Sequence, residues 1–427
     1  MRPAGFAKGG RDGAVSGVLA LGFAALFLFL GSRVPSRAVL KDDVLFGADV
    51  ARVVDDLTAR GGDHYRTKVH PFFVLLLLPA GSLLRRVTAS PYGAARVLTS
   101  LCGAAAVALL HRLLLRVPQL PRPAAVLLAV VFGMSFSTLI FAAVPETYIF
   151  AAISILPVYF LLLAAPSSPD PAAASSMSAD RGRRPFAWGA AALSSFAITS
   201  TNVVQALWGL LLDARYRRLP TPPSVPRRRQ LATAVLAAAA VAVSLTLIQA
   251  RLYPSAQPFW NLEEERGYTA TSNLLQPAAY ARAGRAVFLD AIVAPTHEVV
   301  DRKVVTAGGV PAAPWGPAAA GLWGVWMVVA AVGSARRYRE HAPAVLAIAG
   351  SLGFNLLLHV VYGNEQPFLY SAHWTFLLVL GVALGYPTRR PRLALAGLGT
   401  LAAVLAAHNF AALARIAASL RPLSLRG

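Results

Sequence analysis

Apolar runs close to bilayer-crossing length recur along the whole of this 427-residue chain, and they limit the folds open to it. A helix needs roughly 20 apolar residues to cross the hydrocarbon core of a bilayer. Hydrophobic residues make up 56% of the sequence and charged residues only 14%, whereas soluble proteins carry about 25% charged residues. The sequence therefore predicts an all-α, polytopic membrane protein with a single transmembrane domain, 1–427.

About 11 spans are predicted from the apolar runs. The first run, Val15–Leu30, follows Arg2, Lys8 and Arg11 as a signal peptide would, but no small-residue cleavage motif comes after it, so we expect an uncleaved first helix. The predicted spans are 14–32, 92–111, 123–143, 147–165, 186–198, 202–213, 230–252, 317–333, 342–361, 373–386 and 392–414.

Arginine clusters in short loops indicate which side each loop faces. Such loops stay cytoplasmic, and five are dense in arginine, namely 112–122, 181–185, 214–229, 335–340 and 387–392. All five fall on one side if the first helix exits outward. The net charge of +21 is therefore explained by arginine-rich loops on the cytoplasmic side. We expect the protein to lie in a cell inner (plasma) membrane. Nucleic-acid binding is disfavoured because the charge is split among loops between apolar runs.

Two segments need special placement for this topology. Val69–Leu84 is short and contains two prolines, so it is predicted to lie half-buried along the outer face. The run 186–212 is too long for one untilted span, and we expect a tight hairpin near Thr201 and Asn202. A single tilted helix is the alternative, and it would place Arg227–Arg229 outside against the charge rule. The segment 164–184 is rich in Ala, Ser and Pro and is predicted to be a flexible loop.

Nearly all acidic residues fall in the predicted outer segments, above all in 33–91 and 253–316, where we expect amphipathic helices. Function is therefore expected on the outer face. The single cysteine, Cys102, excludes an intrachain disulfide framework. The spacing of Asp49 and Arg52 places both on one face of a short helix. They could be a capping ion pair, or a carboxylate base held by an arginine near the membrane surface.

The first outer segment resembles that of GT-C membrane glycosyltransferases, the class that includes protein O-mannosyltransferases and the lipid A aminoarabinose transferases. Those enzymes follow the first helix with an acidic D-E-x-R motif, a second acid, a Gly-Asp and a [K/H]-P-P-L helix. Here the order is Asp49-Val-Ala-Arg52, Asp55-Asp56, Gly62-Asp63 and His70-Pro71-Phe72-Phe73. Val50 and Phe72-Phe73 depart from the pattern. The likeness covers about residues 10–215 in layout.

The resemblance implies a GT-C-like fold and an inverting transfer of a sugar from a polyprenyl-phosphate donor, with no nucleotide-sugar site. The acceptor would be a glycan, lipid or protein, in contact with membrane lipids. Such chemistry needs a carboxylate base and cations aimed at the departing phosphate. The candidates for catalysis are Asp49, Glu146 and Asp43, with Asp42 as a rival beside Asp43. The candidates for the donor phosphate are Arg52, Lys68, His70, Tyr370 and His373.

Two questions stay open at this point. No cofactor is expected, although His297, Glu298 and Asp301 fall close enough in sequence to suggest a divalent metal. A transporter or lipid flippase is the rival function. Transporters place ionisable residues within their spans and often show duplicated halves. The predicted spans hold almost no acids and the sequence shows no repeat, which favours chemistry at the membrane surface.

Overall fold

The computed structural model is built almost entirely of helices, which account for 77% of it. The structure describes residues 4–40, 44–163, 171–216, 227–309, 311 and 314–425. Sixteen α-helices follow in chain order: α1 (Ala4–Arg33), α2 (Ser36–Val39), α3 (Val50–Thr58), α4 (Phe73–Arg85), α5 (Pro91–Leu114), α6 (Arg122–Met134), α7 (Phe136–Ala143), α8 (Tyr148–Leu163), α9 (Pro171–Ile198), α10 (Val203–Tyr216), α11 (Arg227–Leu252), α12 (Pro277–Arg285), α13 (Gly316–Arg336), α14 (Tyr338–Val361), α15 (Thr375–Leu384) and α16 (Pro391–Leu425).

Six of these helices are long and apolar enough to cross a bilayer, and bent pairs raise the number to eight at most in the described part of the chain. The six belong to α1, α5, α11, α13, α14 and α16. The bent pairs are α6 with α7, at 60°, and the 3-10 segment Pro367–His373 with α15, at 53°. The chain is thus a multi-pass membrane protein. The expected number of about 11 is not reached because α8, α9 and α10 fall outside both groups.

Two local predictions fare differently. The predicted flexible loop 164–184 is wrong from Pro171 onward, because α9 begins there. Proline at a first helical position and alanine after it both favour a helix, while 164–170 lie outside the described residues. The predicted segment 69–84 contains a short helix, α4, which begins at Phe73 and carries Pro79 inside it.

The predicted hairpin is present between α9 and α10. A 3-10 turn, Ser200–Asn202, separates the two helices. The turn is fixed by the segment before α4: Ser200 donates its amide hydrogen to the Val69 carbonyl at 2.9 Å, and the Phe72 amide donates to the Ala197 carbonyl at 2.8 Å. Because α9 and α10 pack on each other, the chain returns to the end of the molecule from which α9 came.

The five arginine-rich loops gather at one end of the helix bundle, which we call the arginine-rich end. Direct hydrogen bonds link these loops and the adjoining helix ends, with donors and acceptors paired as Arg122–Asp12, Arg116–Phe160 carbonyl, Arg184–Asp213, Tyr216–Tyr338 and Arg337–Tyr386 carbonyl. This grouping matches the side that the charge rule predicts for them.

The opposite end carries the two long polar segments. A hairpin of β1 (His297–Val300) and β2 (Lys303–Thr306) belongs to the second of them. Its Val304 amide donates to the Val44 carbonyl at 2.7 Å, and the Phe46 amide donates to the Val304 carbonyl at 2.8 Å. Phe46 itself has a φ of +54° and is fully buried against Phe136 and Phe368. Backbone hydrogen bonds therefore join the two polar segments, although Val44 and Val304 lie far apart in the sequence.

Cysteine labelling tests this arrangement. In a Cys102→Ser background, single cysteines at exposed Arg215 and Arg389 should react with a membrane-impermeant reagent only after the cytoplasmic side is opened. Cysteines at exposed Asp63 and Gly308 should react from the outside in intact cells. Outside labelling at Arg215 together with protection at Asp63 would contradict the assigned sides.

Candidate active site

Helix α3 presents an apolar face to the core and carries charged residues on its other face. Val53 and Leu57 are fully buried, and a glycine in α4, Gly81, lets that helix lie directly on the Leu57 carbonyl. A side chain at position 81 would collide with this backbone. The close contact between α4 and α3 therefore fixes the position of Arg52 and Asp56 on the opposite face of α3. Asp49 precedes the helix as its N-cap residue.

The Arg52 guanidinium contacts three carboxylates. Its Nε donates to Asp49 Oδ2 at 2.9 Å and its Nη1 to Asp56 Oδ2 at 2.7 Å, while Nη2 lies 4.0 Å from Glu146 Oε1. The Arg52 side chain is 11% exposed. Burial works against its charge, but the carboxylates of Asp56, Glu146 and Asp49 outweigh burial and raise the pKa of Arg52. The guanidinium is thus a permanent cation that binds all three acids.

Exposure distinguishes the three acids. The Asp49 side chain is 42% exposed, whereas those of Asp56 and Glu146 are 4% and 1% exposed. Glu146 Oε1 accepts hydrogen bonds from the amide and hydroxyl of Thr147, at 2.8 and 3.0 Å. Its Oε2 is buried and has no partner among the described residues. Burial raises the pKa of Glu146 to about 7 in spite of Arg52, so this carboxyl exchanges protons near neutral pH.

A buried histidine extends the acidic group. His64 is fully buried, and its Nδ1 lies 2.7 Å from Asp56 Oδ1. A carboxylate only accepts, so Nδ1 carries the hydrogen. Burial disfavours the charged ring, but the hydrogen bond and charge of Asp56 raise the pKa of His64 overall. Asp56 therefore bridges His64 and Arg52. Because His64 holds the Asp56 carboxylate, Asp56 in turn orients the Arg52 guanidinium.

A second cluster, the cation cluster, consists of Arg66, Lys68, Glu264, Glu265 and Tyr362. Arg66 Nη1 donates to Glu265 Oε1 at 2.8 Å, and the Tyr362 hydroxyl donates to Oε2 at 2.9 Å. Lys68 is 1% exposed and its Nζ contacts Glu264 closely, with Glu265 at 3.6 Å. Glu264 itself is 70% exposed. An anion arriving from solvent could therefore replace the exposed Glu264 carboxylate on Lys68 without disturbing Glu265.

Aromatic residues connect the two clusters. Tyr148, two residues after Glu146, lies 5.3 Å from the Tyr370 ring and 5.4 Å from the His373 ring, between centroids. Tyr370 stacks on His359 at 4.4 Å and lies 5.9 Å from Tyr362 of the cation cluster. Nε2 of both His359 and His373 is buried with no hydrogen-bond partner among the described residues. Buried polar atoms without a partner call for an explanation, such as a bound water, ion or ligand.

His70 has a different environment from the other predicted phosphate ligands. Its Nδ1 donates to the Ile198 carbonyl at 2.7 Å, and the side chain is buried. Burial and the nearby charges of Arg52 and Arg66 hold the pKa of His70 well below its usual range. The neutral ring supplies no positive charge, so Lys68 and Arg66 suit a phosphate better. His70 fastens the start of α4 to the end of α9.

A separate apolar groove of 340 Å³ is lined by residues other than Asp49, Arg52 and Glu146. It lies between α1, α7 and α16, with Arg33 and Val34 at the end of α1 among its lining residues. Leu45 and Val144 also line it, and these residues belong to the segments that lead into Asp49 and Glu146. A hydrocarbon chain seated in this groove would lie against Leu45 and Val144, which precede Asp49 and Glu146 in the chain.

The structure brings together most of the residues that the sequence singled out. Asp49 and Glu146 both contact Arg52. Tyr370 and His373 both pack against Tyr148. Lys68 lies in the cation cluster. Asp42 and Asp43 lie outside the described residues. Sequence reasoning missed His64, Arg66, Glu265, Tyr148 and Tyr362. The three consecutive acids Glu263–Glu265 were the only available signal, since the partners are distant in sequence.

The suggested metal ligands do not converge. His297 and Glu298 are in β1, and Asp301 is in the hairpin turn, where it and Arg302 have φ values of +50° and +66°. Two successive positive φ angles are typical of a two-residue turn. No group of three or more His, Cys, Asp or Glu side chains is placed to hold a metal in the described part of the chain. These three residues are therefore accounted for by the hairpin.

No family model, curated protein or solved structure matches this chain.

Replacing Arg52 tests the architecture of the acidic cluster. Arg52→Gln should destabilise the protein by about 3–5 kcal/mol, because buried Asp56 and Glu146 lose their cation. Arg60→Gln is the matched control, since Arg60 follows the same helix and is exposed. Thermal unfolding in detergent measures both variants. Equal melting temperatures would show that Arg52 does not hold the cluster.

The raised pKa of Glu146 predicts a pH dependence. Burial raises its folded pKa above the unfolded value of 4.5 to about 7, so its contribution to stability is fully present below pH 4.5 and is lost as pH rises through 7. Compared with Glu146→Gln, the native protein should lose up to about 3 kcal/mol of stability over this window. Parallel thermal unfolding curves from pH 4.5 to 8 provide the measurement. A constant difference between the two proteins would refute the assignment.

Proposed function

We propose that this protein transfers a sugar from a polyprenyl-phosphate donor to an acceptor at the outer face of a cell inner (plasma) membrane, as an inverting, GT-C-like glycosyltransferase. The observation that carries the proposal is the Arg52 cluster. An exposed carboxylate, Asp49, and a buried one, Glu146, share one guanidinium, and the segments leading into both acids contribute Leu45 and Val144 to an apolar groove. The neighbouring cation cluster supplies charge for a phosphate.

The proposed reaction has one displacement step. An acceptor hydroxyl or amine gives its proton to Asp49 and attacks the anomeric carbon from the face opposite the phosphate. The bond between that carbon and the phosphate oxygen breaks, and the oxygen leaves with the electron pair. Lys68 and Arg66 stabilise the charge that develops on the phosphate. Asp49 is the proposed base because the acceptor can reach it, since its side chain is 42% exposed.

Glu146 is the second candidate for the base. A pKa of about 7 suits general-base chemistry near neutral pH, and its Oε2 is without a hydrogen-bond partner among the described residues. The burial of Glu146 instead favours a positioning role, in which Glu146 holds Arg52 and Arg52 orients Asp49. A base at Glu146 would make activity rise as pH passes through about 7; a base at Asp49 requires no such rise.

A proton-coupled transporter is the rival function. The buried Glu146 and the unpartnered Nε2 atoms of His359 and His373 are groups that a proton relay would use. The relay would need access from both ends of the bundle. Proteoliposome assays separate the two functions, because a transferase releases polyprenyl phosphate from its donor whereas a transporter moves an unchanged substrate.

The base is tested by amide substitutions at the two candidates, Asp49 and Glu146. Asp49→Asn should lower turnover by about 100-fold or more, with little change in melting temperature. Asp63→Asn, an exposed acid of the same segment, should keep full activity. The assay measures polyprenyl phosphate released from a radiolabelled polyprenyl-phosphate sugar pool by purified protein in vesicles. Normal activity in Asp49→Asn with loss in Glu146→Gln would move the base to Glu146. Absence of release by the native protein would refute the transferase.

The phosphate site is tested at Lys68. Lys68→Met keeps the length of the side chain and removes the ammonium group, so affinity for polyprenyl phosphate should fall by about 10- to 100-fold, the worth of a charged hydrogen bond. Affinity for uncharged polyprenol should not change. Lys303→Met, at an exposed lysine in β2, is the matched control. An equal loss for both lipids, or none for the phosphate, would remove Lys68 from the site.

A further inference from the structure

A cleft of 780 Å³ opens on the arginine-rich end, far from the candidate active site along the bundle. It lies between α13 and the beginning of α16, and the loop 385–390 closes its inner side. Two chemically different parts share its lining. Arg336, Arg389 and Arg390 stand at one end, while valines of α13 continue the lining along the helix. No aspartate or glutamate is among the lining residues.

The wall of this cleft is rigid. Arg337 donates from Nη2 to the carbonyls of Leu384 and Tyr386, at 2.6 and 2.7 Å, and so ties α13 to the loop. Trp326 stacks on Tyr386 with an interplanar angle of 15°. Gly333 and Gly385 face each other so closely that a side chain on either would collide with backbone. Arg337 is therefore occupied in structure, and the cleft exists before any ligand arrives.

The remaining arginines are available to an anion. Arg336, Arg389 and Arg390 are exposed, and their guanidinium groups make no hydrogen bond or ion pair with another described residue. Three guanidinium groups around one cleft repel each other unless an anion is present. Guanidinium groups bind phosphate oxygens in a two-pronged geometry. The charge of the cleft is thus complementary to a phosphate group.

The apolar part of the cleft faces the lipid. Val325 and Val328 are 60% and 64% exposed, and Val332 continues the same face of α13 one turn later. On a helix long enough to cross the bilayer, this face lies against acyl chains. A soluble anion would leave these valines uncovered, whereas a phospholipid covers them with its chains and places its headgroup beside the arginines.

We infer that this cleft is a binding site for an anionic phospholipid of the cytoplasmic leaflet, with its phosphate on Arg336, Arg389 and Arg390 and its chains along α13. Basic clefts between membrane helices on the cytoplasmic side bind such headgroups. The inference does not depend on the proposed transferase activity. Since Arg337 and the paired glycines fix α13 against the end of α15 and the loop that follows it, the bound lipid would fill the space between α13 and the beginning of α16.

Trp326 lines the cleft and provides the test. The full-length protein in detergent is titrated with phosphatidylglycerol carrying brominated chains, and separately with brominated phosphatidylcholine. We expect the anionic lipid to quench Trp326 at a concentration at least about tenfold lower, given the attraction of each arginine for an anionic headgroup. Trp326→Phe identifies the quenched tryptophan. Equal quenching by both lipids would overturn the inference.

Two variants with the same charge change locate the site. Replacing Arg336, Arg389 and Arg390 with Gln should abolish the preference for the anionic lipid. Replacing Arg112, Arg116 and Arg122 with Gln, in another arginine-rich loop at the same end, should leave the preference intact. An equal loss in both variants would show diffuse attraction only. Displacement of the lipid by millimolar glycerol phosphate would reassign the cleft to a soluble anion and refute the lipid site.

Discussion

The guanidinium of Arg52 is the interaction on which the candidate active site depends. Asp56 and Glu146 are almost fully buried, and a buried carboxylate without a cation costs several kcal/mol. Arg52 offsets this cost because its planar group reaches two aspartates and approaches the glutamate at once. The alternative in which Asp49 and Arg52 form an ordinary helix-capping pair therefore describes only part of the contacts. Asp49 and Arg52 do form an ion pair, but Arg52 also contacts the buried carboxylates of Asp56 and Glu146.

The two clusters have opposite design. In the acidic cluster one cation binds several anions, and in the cation cluster Glu265 binds Arg66 and approaches Lys68. The aromatic residues Tyr148 and Tyr370 separate the two. Each cluster therefore pairs its own cations with its own carboxylates.

Sequence reasoning found the membrane class, the first helix, α3, the short α4 and the hairpin at Ser200–Asn202, because apolar length, helical spacing and arginine position are local signals. Its number of about 11 spans is not confirmed: six helices, or eight with the bent pairs, are long and apolar enough in the described part of the chain, and α8, an apolar helix of 16 residues, falls short in length. It missed Arg66, Glu265 and Tyr362 for a different reason. These residues contact each other across 97 to 199 positions of chain, and no single-sequence pattern reports such contacts.

The backbone bond between Val304 and Val44 has a consequence for biosynthesis. Synthesis proceeds at roughly 5–20 residues per second, so the first polar segment emerges on the order of tens of seconds before its hairpin partner exists. During that interval Lys68 and Arg66 have no carboxylate from the later segment, and Phe46 has no Phe368 to pack on. A nascent chain at this stage carries basic and aromatic groups whose partners, from Glu264 to Phe368, have not yet been made. Chaperones and proteases at the membrane surface would meet this chain in a half-assembled form, so quality control could recognise incomplete copies by that exposed segment alone.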